Sequence, residues 1–386
     1  MPKSNDKTNL NEASEQVSPA YPGNLTIAET LALGLQHHNS GNLLQAESLY
    51  QQVLVVDPKQ PDGLQLLGVI ALQKGENDLA VDFLTRSLAV ASGFANVHCN
   101  LGAALRKVGK TDDALASYLN ALAIDSNHVQ TLLNLGFLYR DTGNQDAAVE
   151  SLRKALALDP TNTKAEYLLA ALTDEKTEAP PEGFIELIFD EHAVDFEQQM
   201  KEGNSCLPQI VRSASVRLIE QHRKDTVLPF SSTLDLGCGT GRAGVEFRDI
   251  TDKLHGVDLS PKMMDQAREK GVYDALFHGD FIGFLEHAED SYDLVLAVDS
   301  FLYMGPLEAV FSGVVSVLRE GGAFAFTVET LDTGDFALRD TCRHAHGEGY
   351  IRQLAAENHL DVVLCEPVDN LRFGIKGTLF WLKKSG

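Results

Sequence analysis

Leu234-Asp235-Leu236-Gly237-Cys238-Gly239-Thr240-Gly241 is the stretch on which the reading of this chain turns. A short apolar run ends in an acid, enters a turn with glycine at alternate positions, and leads into a helical pattern. Glycines so spaced let the backbone pass close to a ligand at a helix N-terminus. Downstream, short β-rich runs alternate with helical patterns, which predicts a parallel sheet covered on both faces. The strands fall at 233–236, 254–257, 275–277, 293–298 and 323–328, with helices at 184–201 and 209–223 ahead of them. Two later runs, 361–366 and 377–382, have no helical pattern between them and predict an antiparallel hairpin at the sheet's edge. The second strand ends at Asp258, Gly279-Asp280-Phe281 follows the third, and Asp299 follows the fourth. These are the carboxyl ends of adjacent strands, where open α/β sheets bind ligands, and an acid at Asp258 can accept both hydroxyls of a ribose.

Upstream of that region the chain repeats itself with a 34-residue period from Ile27 onward. Leu33-Gly34, Leu67-Gly68, Leu101-Gly102 and Leu135-Gly136 recur in register, and a turn glycine follows each at Gly41, Gly75, Gly109 and Gly143. Ala46, Ala80, Ala114 and Ala148 come next, then the larger Tyr50, Leu84, Tyr118 and Leu152. Small residues let two helices approach and large ones fill the gap between pairs, so the pattern predicts stacked antiparallel helix pairs in a right-handed solenoid. Residues 163–172 read as a capping helix, and 173–183, TDEKTEAPPEG, as a linker between domains. Residues 1–26 are polar and without periodicity, and are expected to be a disordered tail.

With 386 residues the chain is long enough for two or three compact units. An apolar fraction of 44% excludes global disorder. The net charge of −23 opposes binding to phosphate backbones, so nucleic acid is not an expected partner. Cys99, Cys206, Cys238, Cys342 and Cys365 are odd in number and scattered, which argues against a disulfide framework or a metal site. No run of ~18 apolar residues and no secretory leader is present, so the expected compartment is the cytoplasm, with no membrane partner.

The repeat resembles the tetratricopeptide repeat in four copies over 27–162, and 184–386 resembles the class I S-adenosylmethionine-dependent methyltransferases. The fold this implies is multidomain, α plus α/β: a helical solenoid followed by a Rossmann-like sheet of seven strands, the last antiparallel. The resemblance implies that Asp235 and the turn Gly237, Cys238, Gly239, Thr240 and Gly241 hold the methionine portion of S-adenosylmethionine. It implies that Asp258 holds the ribose, that Leu259 and Met263 cover one face of the adenine, and that Asp280 and Phe281, after Gly279, take its amine and other face. The whole chain resembles the bacterial tetratricopeptide-repeat methyltransferases, in which a phrase like Phe189-Asp190-Glu191-His192-Ala193-Val194-Asp195-Phe196 precedes the catalytic domain and folds over the cofactor, with His192 here in place of a more usual tyrosine. In the repeats, the inner helical face would present Asn100, Arg106, Lys107, Asn134 and Arg140 to a protein or peptide, or these are simply a solvated face.

Gly239, Gly241 and Gly244 also spell the dinucleotide-binding G-x-G-x-x-G, but Asp235 would push against a pyrophosphate, whereas a sulfonium ligand with an amino group suits it. Methyl transfer needs alignment and dryness more than acid–base chemistry. Where the acceptor carries a proton, Asp299 with Tyr303, or His344 and His346, are the candidate bases, the histidines otherwise belonging to a polar loop. Cys238 reads as a small turn residue and not a nucleophile. The leading expectation is a methyltransferase acting on a protein or peptide. The alternatives are a scaffold whose second domain only senses the cofactor, and a small-molecule methyltransferase that uses its repeats for assembly.

Overall fold

The computed structural model describes residues 25–173, 179–181, 183–203, 205–221, 228–369 and 374–385. The expected tail lies outside the described residues apart from 25 and 26, as does most of the expected linker, 174–178 and 182. The chain forms two compact units, Met1–Ile124 and Asp125–Gly386.

The first unit holds three helix pairs: α1 (Ile27–Asn39) with α2 (Leu43–Val56), α3 (Pro61–Gln73) with α4 (Asn77–Val90), and α5 (Ala95–Lys107) with α6 (Thr111–Ile124). The repeat's phase is explained by close approach. A Cβ on Gly34, Gly68 or Gly102 would lie 2.4, 2.6 or 2.5 Å from Tyr50, Leu84 or Tyr118 of the partner helix. Those three large side chains are fully buried or nearly so, as are Ala46, Ala80 and Ala114 beside them. Between the helices of each pair the turn glycine adopts φ near +75°, a conformation in which a side chain would be strained. Thr26 and Glu29 cap the first helix reciprocally, each side chain bonding the other's backbone N–H.

The second unit begins with the fourth pair, α7 (Val129–Asp141) and α8 (Gln145–Leu158), followed by α9 (Thr163–Leu172), α10 (Phe184–Glu202) and α11 (Leu207–Gln221). The sequence places a boundary at 173–183, whereas the compact units divide after Ile124. The fourth pair and α9 are tied to the sheet domain. The Arg140 guanidinium lies against Cys342 Sγ at 3.6 Å, the Tyr167 hydroxyl donates to the Cys342 carbonyl at 3.3 Å, and the Tyr167 ring meets Phe184 edge-on at 5.0 Å.

The sheet follows: β1 (Phe230–Leu236), α12 (Arg242–Phe247), β2 (Thr251–Asp258), α13 (Pro261–Lys270), β3 (Ala275–His278), α14 (Phe281–His287), β4 (Tyr292–Ala297), α15 (Glu308–Val317), β5 (Leu318–Leu331), β6 (Phe336–Leu338), β7 (His344–Gly347), α16 (Glu348–Glu357), β8 (Leu360–Val368) and β9 (Gly377–Lys384). β3, β2, β1, β4 and β5 run parallel in that spatial order. β9 lies antiparallel on β5, and β8 antiparallel on β9, as the hairpin reading expects. The expected seven strands are present, but the sheet has nine. β5 is longer than expected and runs past β4, whose pairing ends at Phe326, so its final residues, Glu329–Leu331, pair with β7, which carries β6. Alternate sheet residues feed two cores. Leu234, Val295, Phe324 and Phe326 pack under α15 and α16, while Leu294, Leu296, Ala325 and Trp381 pack under α11. Among the described residues no helix is long and apolar enough to cross a membrane.

Candidate functional site

A cavity of about 590 Å³ lies at the carboxyl ends of β1, β2 and β4, roofed by α10 and the residues just before it. Its lining includes Asp235, Gly237, Cys238, Gly239, Thr240, Asp258, Leu259, Met263, Asp280, Phe281, Asp299 and Tyr303. Ten of the twelve sequence-predicted cofactor residues therefore meet in one place. Gly241 and Gly279 do not line it. Their amides bond the carbonyls of Cys238 (2.8 Å) and Asp258 (3.0 Å), so they shape the loops that do.

The glycine turn is strung across the end of β2, with the amides of Gly237 and Cys238 both donating to the Val257 carbonyl, at 2.8 and 3.0 Å. Asp235 is 1% exposed, and its carboxylate accepts the Tyr273 hydroxyl at 2.7 Å. Burial, helped by the nearby Asp258 and opposed by Tyr273, pushes the Asp235 carboxyl up to about 7. Asp258 accepts the amides of Gly239 (2.7 Å) and Ser260 (2.9 Å), which oppose the rise that burial imposes on it. Burial, with those two acids nearby, also drives the Cys238 thiol well above its ordinary range, so it is no thiolate nucleophile and serves as a turn residue. Asp280 caps α14 by accepting the Gly283 amide at 2.7 Å.

α10 is fastened across this site by Phe189 and Asp190, from the phrase the sequence reading quoted, and by Glu197, which it did not name. Asp190 accepts the Ser260 hydroxyl at 2.6 Å. Glu197 accepts the Thr240 hydroxyl at 2.6 Å and pairs with Lys270, and these partners outweigh burial and hold its carboxyl below the usual range. Phe189 meets Tyr303 edge-on at 5.5 Å. The His192 side chain lies outside the described residues.

Of the candidate bases, Asp299 and Tyr303 line the cavity. Asp299 has φ +61°, and its amide donates to Thr327 Oγ1 at 2.9 Å. His344 and His346 do not reach the cavity and do not belong to a polar loop. They lie on β7, at 0% and 1% exposure, where His346 Nε2 donates to the Gly305 carbonyl at 2.9 Å. Burial drives the His346 imidazole down to about 4, which makes it a packed neutral ring. Four residues of mixed polarity gave no period from which such a strand could be read.

The groove candidates are divided between the units. Asn100 and Arg106 are half-buried and Lys107 is exposed in the first, while Asn134 and Arg140 belong to the second. Asn134 accepts from Gln130 at 3.0 Å. Arg140 is wedged over the Phe137 ring at 5.3 Å and paired with Asp141 at 2.8 Å, so it is a packing residue of its own unit.

Comparison with known proteins agrees with this geometry. Residues 233–322 match the family model of a methyltransferase domain, and 31–94 and 93–161 match tetratricopeptide-repeat models. The chain carries tetratricopeptide repeats followed by a methyltransferase domain. It is 29% identical over 153 residues to a malonyl-[acyl-carrier protein] O-methyltransferase of Salmonella typhimurium, covering 37% of this chain and 60% of that protein. It is 31% identical over 98 residues to a sterol 24-C-methyltransferase of Neurospora crassa, covering 24% of this chain and 26% of that one. The chain thus spans less than two thirds of either relative. A solved S-adenosylmethionine-dependent methyltransferase of Clostridium acetobutylicum aligns with a TM-score of 0.39 at 17% identity, over 50% of this chain and 97% of that one.

Proposed function

We propose that this chain is an S-adenosylmethionine-dependent methyltransferase of the cytoplasm whose repeats recruit or orient a protein or peptide acceptor. The observation that carries it is the meeting, in one cavity, of the buried Asp235, the glycine turn and Asp258 with Asp299 and Tyr303. The donor set suits that cofactor. An ammonium group against Asp235 would hold ionised a carboxyl that burial otherwise protonates. Asp258, fixed by two amides, keeps lone pairs for ribose hydroxyls, and Leu259, Met263, Phe281 and Ile282 offer apolar faces to a purine.

When bound, the cofactor supplies an electrophilic methyl group that leaves a sulfonium by in-line displacement. The chain's part is to align and to exclude water: α10 covers the site, and Ile185, Phe189, Tyr303 and Met304 wall the end beyond β4. Asp299, with Tyr303 beside it in the cavity wall, takes the acceptor's proton where it has one. The protein reading is supported by the repeats, on whose first unit Asn100, Arg106 and Lys107 form the recruiting face. A second reading, a small-molecule acceptor, is favoured by the largely apolar wall of the cavity.

The test is transfer of label from methyl-labelled S-adenosylmethionine into a cell extract, comparing the full chain with the triple variant Asn100→Ala, Arg106→Ala, Lys107→Ala. Label in one protein band that fades with the variant supports the first reading. Label in small molecules with both proteins supports the second. Binding without transfer makes the chain a cofactor-sensing scaffold, and failure to bind refutes the cofactor assignment.

A further inference from the structure

Tyr273 lies between α13 and β3, and its ring is enclosed by backbone. A Cβ on Gly244 would come within 2.4 Å of its hydroxyl oxygen, one on Gly241 within 3.0 Å of the ring, and one on Gly256 within 2.9 Å. These three glycines come from α12, the glycine turn and β2, so the ring fits only because all three lack side chains. Held this way, the hydroxyl has one place to go. It donates its proton to Asp235 Oδ2 at 2.7 Å. The third glycine of the G-x-G-x-x-G spelling is therefore accounted for by a tyrosine and not by a pyrophosphate.

We propose that Tyr273 is a positioning residue for the cofactor: its hydroxyl anchors one oxygen of Asp235 and favours the carboxylate, presenting the other oxygen to the ammonium group at the amino-acid end of S-adenosylmethionine. This rests on the cofactor reading above. The titratable groups facing Asp235 are Tyr273 from the loop before β3, Asp258 from β2 and Cys238 from the turn. Asp258 and burial favour the protonated acid, and Tyr273 is the group that opposes them. Removing the hydroxyl shifts ionisation of Asp235 to higher pH, so the affinity that depends on the carboxylate appears later as pH rises.

The experiment is calorimetric titration of the full chain with S-adenosylhomocysteine, which keeps the ammonium group, between pH 5.5 and 8. The comparison ligand is 5′-methylthioadenosine, which lacks the amino-acid end. Wild type should gain affinity through about pH 7. Tyr273→Phe, which still fills the glycine cradle, should bind S-adenosylhomocysteine about tenfold more weakly near neutrality, with its profile moved up by about one unit. 5′-Methylthioadenosine should bind both alike, and in an Asp235→Asn background Tyr273→Phe should change nothing further. An unshifted profile overturns the inference, as does equal weakening of both ligands, which would mean a structural role. Failure of wild type to bind either ligand would instead remove the cofactor reading and this inference with it.

Discussion

Substituting alanine at two neighbouring glycines separates a residue the fold needs from one the ligand needs. Gly237 has φ +71°, and a Cβ there would stand 2.7 Å from Ser300 Oγ and 2.9 Å from Ser300 Cβ. The left-handed backbone costs about 1–2 kcal/mol, and displacing Ser300 breaks its 2.7 Å bond to the Leu236 carbonyl, worth about 1 kcal/mol. Gly237→Ala should therefore lower stability by about 2–3 kcal/mol. Gly239 has φ +53°, lines the cavity, and a Cβ there meets no protein atom within 4 Å. Gly239→Ala carries only the backbone cost of about 1–2 kcal/mol. Its methyl group instead intrudes where the cofactor's chain should run, and overpacking of about 1–3 kcal/mol corresponds to roughly a tenfold to hundredfold loss of affinity. The single tryptophan, Trp381 on β9, makes the assay specific, because its fluorescence in urea follows the second unit alone. Calorimetry with S-adenosylhomocysteine supplies the affinities. If Gly239→Ala binds like wild type, the turn is not where the ligand passes, and equal stability losses would refute the Ser300 argument.

Asp258→Ala should weaken S-adenosylhomocysteine binding at least ~tenfold and also cost about 1–3 kcal/mol, since the Gly239 and Ser260 amides lose their acceptor; unchanged affinity would take Asp258 out of the site. His346 is neutral and buried in the fold, with its pKa lowered to about 4 from about 6.5, so it supports stability above pH 6.5 and that support is lost as pH falls towards 4. His346→Gln should flatten this part of the stability profile, and an unaltered slope would refute the assignment. Arg140→Ala should destabilise the second unit by about 1–2 kcal/mol in urea, through loss of its contacts with Phe137 and Cys342. Lys107→Ala, at an exposed position, should stay within about 0.5 kcal/mol of wild type by circular dichroism.

Much of this was legible in the sequence because the signals were periodic or tied to special backbone geometry. The repeat announced itself through glycines that must face Tyr50, Leu84 and Tyr118, and the loops that line the cavity through acids at strand ends. What stayed hidden depends on distant pairing. β7 forms because β5 outruns β4 and leaves the edge of Glu329–Leu331 to be paired, which nothing within His344–Gly347 announces. Tyr273 is 38 residues from Asp235 and carries no motif. Arg140 looks like a surface cation in its helix, and only the fold brings Cys342, 202 residues away, against it.

The seam after Ile124 bears on how such a chain could be diversified or engineered. Whole 34-residue cassettes upstream of it could be added, removed or exchanged without disturbing the contacts that Arg140 and Tyr167 make with Cys342. The fourth pair has no such freedom, because any replacement must rebuild its seat on the β6–β7 turn. Changes should therefore be accommodated first in the three leading pairs, with the last pair inherited together with the sheet domain.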